Sequence, residues 1–144
     1  MINKDEHGYT HKHEEVEYNY DVLDFIKENF TDYIKIIVTN QSGIAREIYS
    51  EADFKKLMVC MLRDLEQYGI GINKVYHAPH LPESNHPDRK PNPGMINKGL
   101  KKFKADPKDC AMIGDRRSDY HSAQNANLGR FIYYVKGTFS EAKI

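Results

Sequence analysis

Short apolar segments that alternate with amphipathic ones constrain the fold of this chain more than any other feature. Residues 33–39 (YIKIIVT) are apolar and β-branched, and Asn-Gln-Ser-Gly follows them directly, which is typical of a buried strand. Over residues 54–68 the apolar side chains recur at helical spacing, with Ser50 before this stretch and Gly69 after it. These residue types start and end helices, so the spacing predicts a long helix there.

The same alternation continues along the chain. In chain order it predicts a helix at 22–30, a strand at 74–77, a helix after Pro93, a strand at 110–113, a helix at 117–127 and a strand at 131–135. Strands that alternate with helices predict an α/β fold with a parallel sheet and helices on both faces. The length of 144 residues fits one domain spanning 1–144.

Three polar clusters follow predicted strands, at the strand ends where the ligands of parallel sheets bind. The clusters are residues 39–43, the loop that ends in residues 89–91, and residues 114–116. Thr39 heads a Gly-bearing turn that offers a hydroxyl and backbone N–H groups to an anionic oxygen. Lys90 can hold a phosphate as a point charge, and Asp115 is a hard oxygen ligand of the kind that Mg²⁺ takes. Each cluster alone also has an ordinary interpretation, as a turn, a solvated cation or a helix cap. Together they are the components of a phosphoryl-transfer site.

The same clusters carry a resemblance to a known family. The segments VTNQSGIAR (38–46), RKPNPGM (89–95) and MIGDRRSD (112–119) resemble the second, third and fourth motifs of the haloacid dehalogenase (HAD) superfamily. More narrowly, they resemble its D-glycero-D-manno-heptose 1,7-bisphosphate phosphatases, whose nearest relatives are the histidinol phosphatases. INKDEHGYTHKHEEVEY (2–18) is similar to the stretch after that family's first motif. The resemblance implies a Rossmann-like HAD fold and a phosphoric monoester hydrolase.

The resemblance also implies roles for individual residues. The family hydrolyses sugar phosphates with Mg²⁺ through an aspartyl-phosphate intermediate, so Thr39 and Lys90 would be catalytic and Asp115 would bind Mg²⁺. The implied substrate-binding residues are Asp5, His7, Gly8, Tyr9, Thr39, Asn40, Gln41, Ser42, Arg89, Lys90 and Arg116. SGIAR and RKPNPGM are closer to the heptose branch, which makes heptose 1,7-bisphosphate, on a path to lipopolysaccharide, the expected substrate.

The first departure from the family concerns its nucleophile. Two aspartates of a D-x-D-G motif end the family's first, central strand just before an Ile-Asn pair, which here is Ile2-Asn3. The sequence contains no Asp-x-Asp, so we expect a chain without that strand, truncated at its N-terminus and short at its C-terminus. It is expected to be inactive unless an upstream segment supplies the nucleophile. A late assigned start, a fragment and a pseudoenzyme remain open.

The second departure concerns a zinc loop. Where many heptose phosphatases have C-x-H and C-x-C, this chain has Ala78, His80, His86 and Asp88. His80, His86 and Asp88 offer a nitrogen and oxygen donor set for a divalent ion. The interpretation we favour is a proline-rich loop without metal, so Mg²⁺ is the expected cofactor and zinc is not.

Composition narrows the class of partner. Twenty-one Lys and Arg balance 21 Asp and Glu, which argues against recruitment by nucleic acid. The longest apolar run, residues 57–62, is far shorter than the roughly 18 residues of a membrane span. The N-terminus has no signal-peptide pattern. We expect a cytoplasmic monomer with a small-molecule sugar phosphate as its partner.

There are three alternatives to a heptose phosphatase: a histidinol-phosphate phosphatase, a non-catalytic phosphosugar- or metal-binding module, and a His-cluster metal carrier.

Overall fold

The computed structural model describes residues 1–4 and 8–144. Its helices and strands follow in chain order as α1 (Tyr20–Asn29), β1 (Ile36–Asn40), α2 (Ser42–Ala45), α3 (Glu51–Gln67), β2 (Lys74–Ala78), α4 (Gly94–Lys102), β3 (Ala111–Gly114), α5 (Arg117–Asn125), β4 (Arg130–Val135) and β5 (Thr138–Ala142). In this described part of the chain, no helix combines the length and the apolar character needed to cross a membrane.

The chain divides into two compact units. The first comprises Met1–Ile37 and Gly43–Val75, and the second comprises Val38–Ser42 and Tyr76–Ile144. Strands β1 and β2 contribute residues to both units. The sequence prediction of one domain over 1–144 stays a prediction.

The first unit is built on α1 and α3. Leu23 of α1, Leu65 of α3 and Ile70 are almost completely buried and form its apolar cluster, against which Ile2 and Ile37 pack. Helix α3 begins at the predicted position because Ser50 and Asp53 cap it reciprocally: Ser50 Oγ accepts the Asp53 N–H, and the Asp53 carboxylate accepts the Ser50 N–H.

The second unit contains a three-stranded sheet in the order β3-β4-β5. β3 and β4 are parallel, with Ala111 opposite Arg130, and β4 and β5 are antiparallel. Helix α5 packs on β3 and β4. Its Ala123, with Ile96 of α4 and Phe131 of β4, belongs to the core of this unit. Met112 of β3 packs against this core.

Strand β5 was not predicted from the sequence. Val135 pairs with Thr138, so Lys136 and Gly137 form a two-residue hairpin turn. Both have positive φ, 47° and 83°, as a type I′ turn requires. The Lys-Gly pair was the available signal, because β5 itself is polar.

Strands β1 and β2 form a two-stranded sheet. The Asn73 N–H donates to the Lys35 carbonyl and the Gln41 N–H to the Ala78 carbonyl. Residue numbers rise together in these two pairs, so the strands are parallel. The predicted α/β fold with parallel strand pairs and helices is confirmed. The predicted loss of a first, central strand stays a prediction.

Candidate active site

Lys90 is the most strongly constrained of the predicted site residues. Its Nζ donates to the Val38 carbonyl oxygen at 3.2 Å and to Asp119 Oδ1 at 2.6 Å. The side chains of Lys90 and Asp119 are only 13% and 7% exposed. An ammonium has three donors, and the residues that the structure describes provide it with two acceptors. The charge of Lys90 is therefore held in place, and within the described residues one of its three donor positions remains for an anionic oxygen.

The backbone of Lys90 is held by Asn40, at the carboxyl end of β1. Asn40 Nδ2 donates to the Lys90 carbonyl at 3.1 Å, and the Lys90 N–H donates to Asn40 Oδ1 at 3.0 Å. The Lys90-Pro91 peptide bond is cis, and Asn125 Nδ2 donates to the Pro91 carbonyl at 3.0 Å. Asn40 thus joins the end of β1 to the loop that carries Lys90.

Asp119 connects Lys90 to the end of β3. Its Oδ2 accepts the N–H groups of Asp115 and Arg116 at 3.2 and 3.1 Å. A Cβ on Gly114 would lie 2.5 Å from the Cβ of Asp119, so glycine is needed for this approach. Asp119 is a site residue that sequence reasoning did not select. Asp119 is the last residue of the segment MIGDRRSD and lies four residues after Asp115, in the first turn of the next helix, and this was the available signal.

Thr39, Gln41 and Ser42 follow Val38 at the same strand end. Gln41 Nε2 donates to Thr39 Oγ1 at 2.8 Å, and the Gln41 N–H donates to the Ala78 carbonyl. Ser42 begins α2. The structure thus places the predicted hydroxyl of Thr39 one residue from the carbonyl that orients Lys90.

Asp115 and Arg116 directly follow β3, and both side chains are exposed. Mg²⁺ commonly takes one or two protein carboxylates and completes its shell with phosphate and water. A single accessible carboxylate at a strand end fits that requirement. Within the described residues, no group of three or more His, Cys, Asp or Glu side chains is placed to hold a metal ion.

His80, His86 and Asp88 do not come together as metal ligands. The two imidazole rings stack with centroids 3.5 Å apart. His86 Nδ1 accepts the Asp88 N–H at 3.1 Å, and the Asp88 carboxylate pairs with Lys98. Burial of the imidazole lowers the pKa of His80, and the neighbouring His86 lowers it further. The sequence interpretation of a proline-rich loop without metal stays a prediction.

The remaining predicted substrate residues are distributed over the chain. Arg89 Nη1 donates to the His80 carbonyl at 3.1 Å in the second unit. Gly8 and Tyr9 belong to the first unit, where the Tyr9 ring lies 6.5 Å from that of Tyr49. Asp5 and His7 lie outside the described residues. The substrate contacts of these residues stay predictions.

Comparison with known proteins identifies the family. Residues 88–144, which include Lys90, Asp115 and Asp119, match a family model described as HAD-hydrolase-like. The chain is 38% identical over 138 residues to a D-glycero-alpha-D-manno-heptose-1,7-bisphosphate 7-phosphatase of Photorhabdus laumondii, covering 90% of this chain and 75% of that protein. It is 44% identical over 101 residues to the Campylobacter jejuni protein of the same name, covering 70% of this chain and 58% of that protein.

Solved structures show the same relationship. A D,D-heptose 1,7-bisphosphate phosphatase from B. bronchiseptica, complexed with magnesium and phosphate, superposes with a TM-score of 0.80 at 26% identity, over 88% of this chain and 72% of that one. A HAD-like phosphatase from Mesorhizobium loti gives a TM-score of 0.83 at 26% identity, over 96% and 72%. By its motifs, its fold and these relatives, the chain belongs to the heptose 1,7-bisphosphate phosphatase family of the HAD superfamily and is, by that resemblance, a phosphoric monoester hydrolase.

Proposed function

We propose that this chain is a Mg²⁺-dependent sugar-phosphate phosphatase that hydrolyses D-glycero-D-manno-heptose 1,7-bisphosphate. The observation that carries the proposal is the ammonium of Lys90, held between Asp119 and the Val38 carbonyl. Positioned charge supplies most of the catalysis of phosphoryl transfer. The names of the relatives support the sugar.

Each site residue contributes a different interaction with a phosphate. The hydroxyl of Thr39 donates to a non-bridging phosphate oxygen, and Lys90 neutralises charge on the same group. Arg89 and Arg116 provide guanidinium forks for the phosphates of the substrate. Asp115 would hold Mg²⁺, which neutralises further phosphate charge when it is bound.

The remaining proposed substrate residues contact the sugar or complete the site. They are Asp5, His7, Gly8, Tyr9, Asn40, Gln41 and Ser42. Asn40 has an additional task, because its amide already holds the backbone of Lys90. Substitution of Asn40 is therefore expected to affect catalysis through Lys90.

The covalent chemistry requires a carboxylate nucleophile. A carboxylate oxygen attacks phosphorus, the bond from phosphorus to the sugar oxygen breaks, and a second carboxylic acid protonates that oxygen. Water then hydrolyses the aspartyl phosphate and releases inorganic phosphate. These 144 residues contain no Asp-x-Asp pair, so we propose that residues upstream of Met1 supply it.

The experiment compares the 144-residue chain with a version extended by the codons upstream of Met1, read in frame. Phosphate release from heptose 1,7-bisphosphate is measured with Mg²⁺ and after its removal by EDTA, with histidinol phosphate as the competing substrate. Release by the extended chain that needs Mg²⁺ and prefers the heptose supports the proposal. Lys101→Ala, an exposed lysine of α4, is the control for Lys90→Ala.

Two results would change the assignment. Preferential hydrolysis of histidinol phosphate would move the chain to the histidinol branch. Thermal stabilisation by the heptose bisphosphate without phosphate release from either form would make it a non-catalytic phosphosugar-binding module.

A further inference from the structure

A pair of stacked histidines lies beside the proposed phosphate site. The rings of His80 and His86 are nearly parallel, inclined by 14°, with centroids 3.5 Å apart. Both residues are half-buried. They belong to the proline-rich loop over residues 79–93 that also carries Arg89 and Lys90.

His86 organises the three residues that follow it. Its Nδ1 accepts the Asp88 N–H at 3.1 Å, and its carbonyl accepts the Arg89 N–H at 2.9 Å. The same carbonyl accepts Asn92 Nδ2 at 2.9 Å. Both the side chain and the backbone of His86 therefore fix the turn that leads into Arg89.

His80 holds the far end of Arg89. The carbonyl of His80 accepts Arg89 Nη1 at 3.1 Å. The His80 ring stacks on the His86 ring. His86, which fixes the turn, therefore also supports His80, whose carbonyl accepts the guanidinium of Arg89. These contacts connect the His86 ring to the side chain of Arg89 through His80.

We infer that His86 is a positioning residue that sets the guanidinium of Arg89 for the sugar phosphate, acting through the stacked His80 and the turn at Asp88. The inference rests on the proposed function, in which Arg89 binds a phosphate of the substrate. The loop achieves this placement with direct contacts. His86 Nδ1 is engaged with a backbone N–H, and Asp88 pairs with Lys98.

The test combines single and double substitutions in the full chain. Dissociation constants for heptose 1,7-bisphosphate are measured by calorimetry for wild type, His86→Ala, Arg89→Ala and the double variant. His86→Ala is expected to weaken binding about tenfold, as the loss of one charged hydrogen bond would. The double variant is expected to bind as weakly as Arg89→Ala alone, because His86 acts only through Arg89.

A conservative variant separates positioning from folding. In His86→Asn the side-chain oxygen can accept the Asp88 N–H in place of Nδ1, but the ring stack on His80 is lost, so this variant is expected to recover part of the affinity. His121→Asn, which alters an exposed histidine of α5, is the matched control and should bind like wild type. Additive losses in the double variant, or a His86→Asn variant as weak as His86→Ala, would overturn the inference.

Two further measurements separate this inference from the proposed function. If Arg89→Ala binds like wild type, or if no form binds, the proposed role of Arg89 is wrong, and the NMR resonance of its Nε–H decides the inference. A shifted Arg89 resonance in His86→Ala supports positioning, and an unchanged one contradicts it. Wild-type binding that weakens with a zinc-selective chelator in excess Mg²⁺ would also contradict it, because a metal would then hold the loop.

Discussion

At the residue scale, the site depends on one nearly buried ion pair between Lys90 and Asp119. Removing one partner of such a pair leaves an uncompensated charge, which costs more than the pair itself contributes. Asp119 also accepts two backbone N–H groups at the end of β3. One carboxylate thus fixes both the position of Lys90 and the backbone that precedes α5.

We predict that Lys90→Met lowers the free energy of unfolding by about 3 kcal/mol, because Asp119 loses its cation. A cycle with Asp119→Asn and the double variant, measured by urea denaturation, should give a coupling of about 1–2 kcal/mol. Lys101→Met should leave the stability unchanged. A coupling near zero would show that the two charges do not interact in solution.

Gly114 gives a second prediction at this scale. In Gly114→Ala the new methyl group would meet Asp119, so the carboxylate must move away from Lys90. We expect a loss of about 2 kcal/mol in the free energy of unfolding. Gly71→Ala is the matched control, since nothing lies within 4 Å of the Cβ that it adds. Equal effects of the two substitutions would contradict the close approach at Gly114.

Sequence reasoning found the residue types of the site but not their partners. The ends of β1 and β3 were predictable because polar residues follow apolar strands there. The acceptors of Lys90 lie 52 and 29 residues away in sequence. Sequence patterns over a few neighbouring residues do not indicate contacts between residues so far apart, so Asp119 remained outside the predicted site.

At the element scale, the start of α3 depends on the reciprocal cap of Ser50 and Asp53. Ser50→Ala removes the acceptor of the Asp53 N–H, so we predict a loss of about 1 kcal/mol in the free energy of unfolding. Lys55→Ala, an exposed position inside the same helix, should change the stability little. Thermal or urea denaturation of the two variants checks the difference. A neutral Ser50→Ala would mean that the cap contributes nothing.

A 3₁₀ turn over His13–Glu15 is connected to α3 through Asp64. The Asp64 carboxylate accepts from His13 Nε2 at 2.6 Å and from the Tyr18 hydroxyl at 2.7 Å. These hydrogen bonds lower the pKa of Asp64. The unfolded chain has the ordinary aspartate pKa of about 3.9, so acid favours unfolding at this position.

We therefore predict that the stabilisation by Asp64 is present above about pH 4 and is lost as the pH falls through the lowered folded-state pKa. The difference in unfolding free energy between wild type and Asp64→Asn should be largest near neutral pH and shrink in acid. Asp32→Asn, at an exposed aspartate, is the control substitution. A difference independent of pH would exclude the carboxylate as its source.

Most helices and strands were predictable because their apolar spacing is regular, as in α3 and β4. The predicted strand at 33–39 begins only at Ile36, since the Lys35 N–H bonds to the Asn73 side chain instead of a strand partner. β5 has a polar sequence, so only its turn could have indicated it. Elements that depend on a partner rather than on their own pattern were missed.

At the scale of the whole molecule, each of the two units has its own apolar cluster. The Lys90 site lies entirely in the second unit, together with Asn40, Asp115 and Asp119. The proposed sugar-contacting residues Gly8 and Tyr9 belong to the first. We predict that substitutions at Lys90 affect the chemical step, because its ammonium supplies the positioned charge.

The most direct test of the central claim is single-turnover phosphate release from heptose 1,7-bisphosphate by the extended chain and its Lys90→Ala variant, in Mg²⁺. We predict release by the parent chain and a rate at least about 100-fold lower in Lys90→Ala, because the positioned charge on the transferring phosphate is lost. Equal rates in the two proteins would contradict the account.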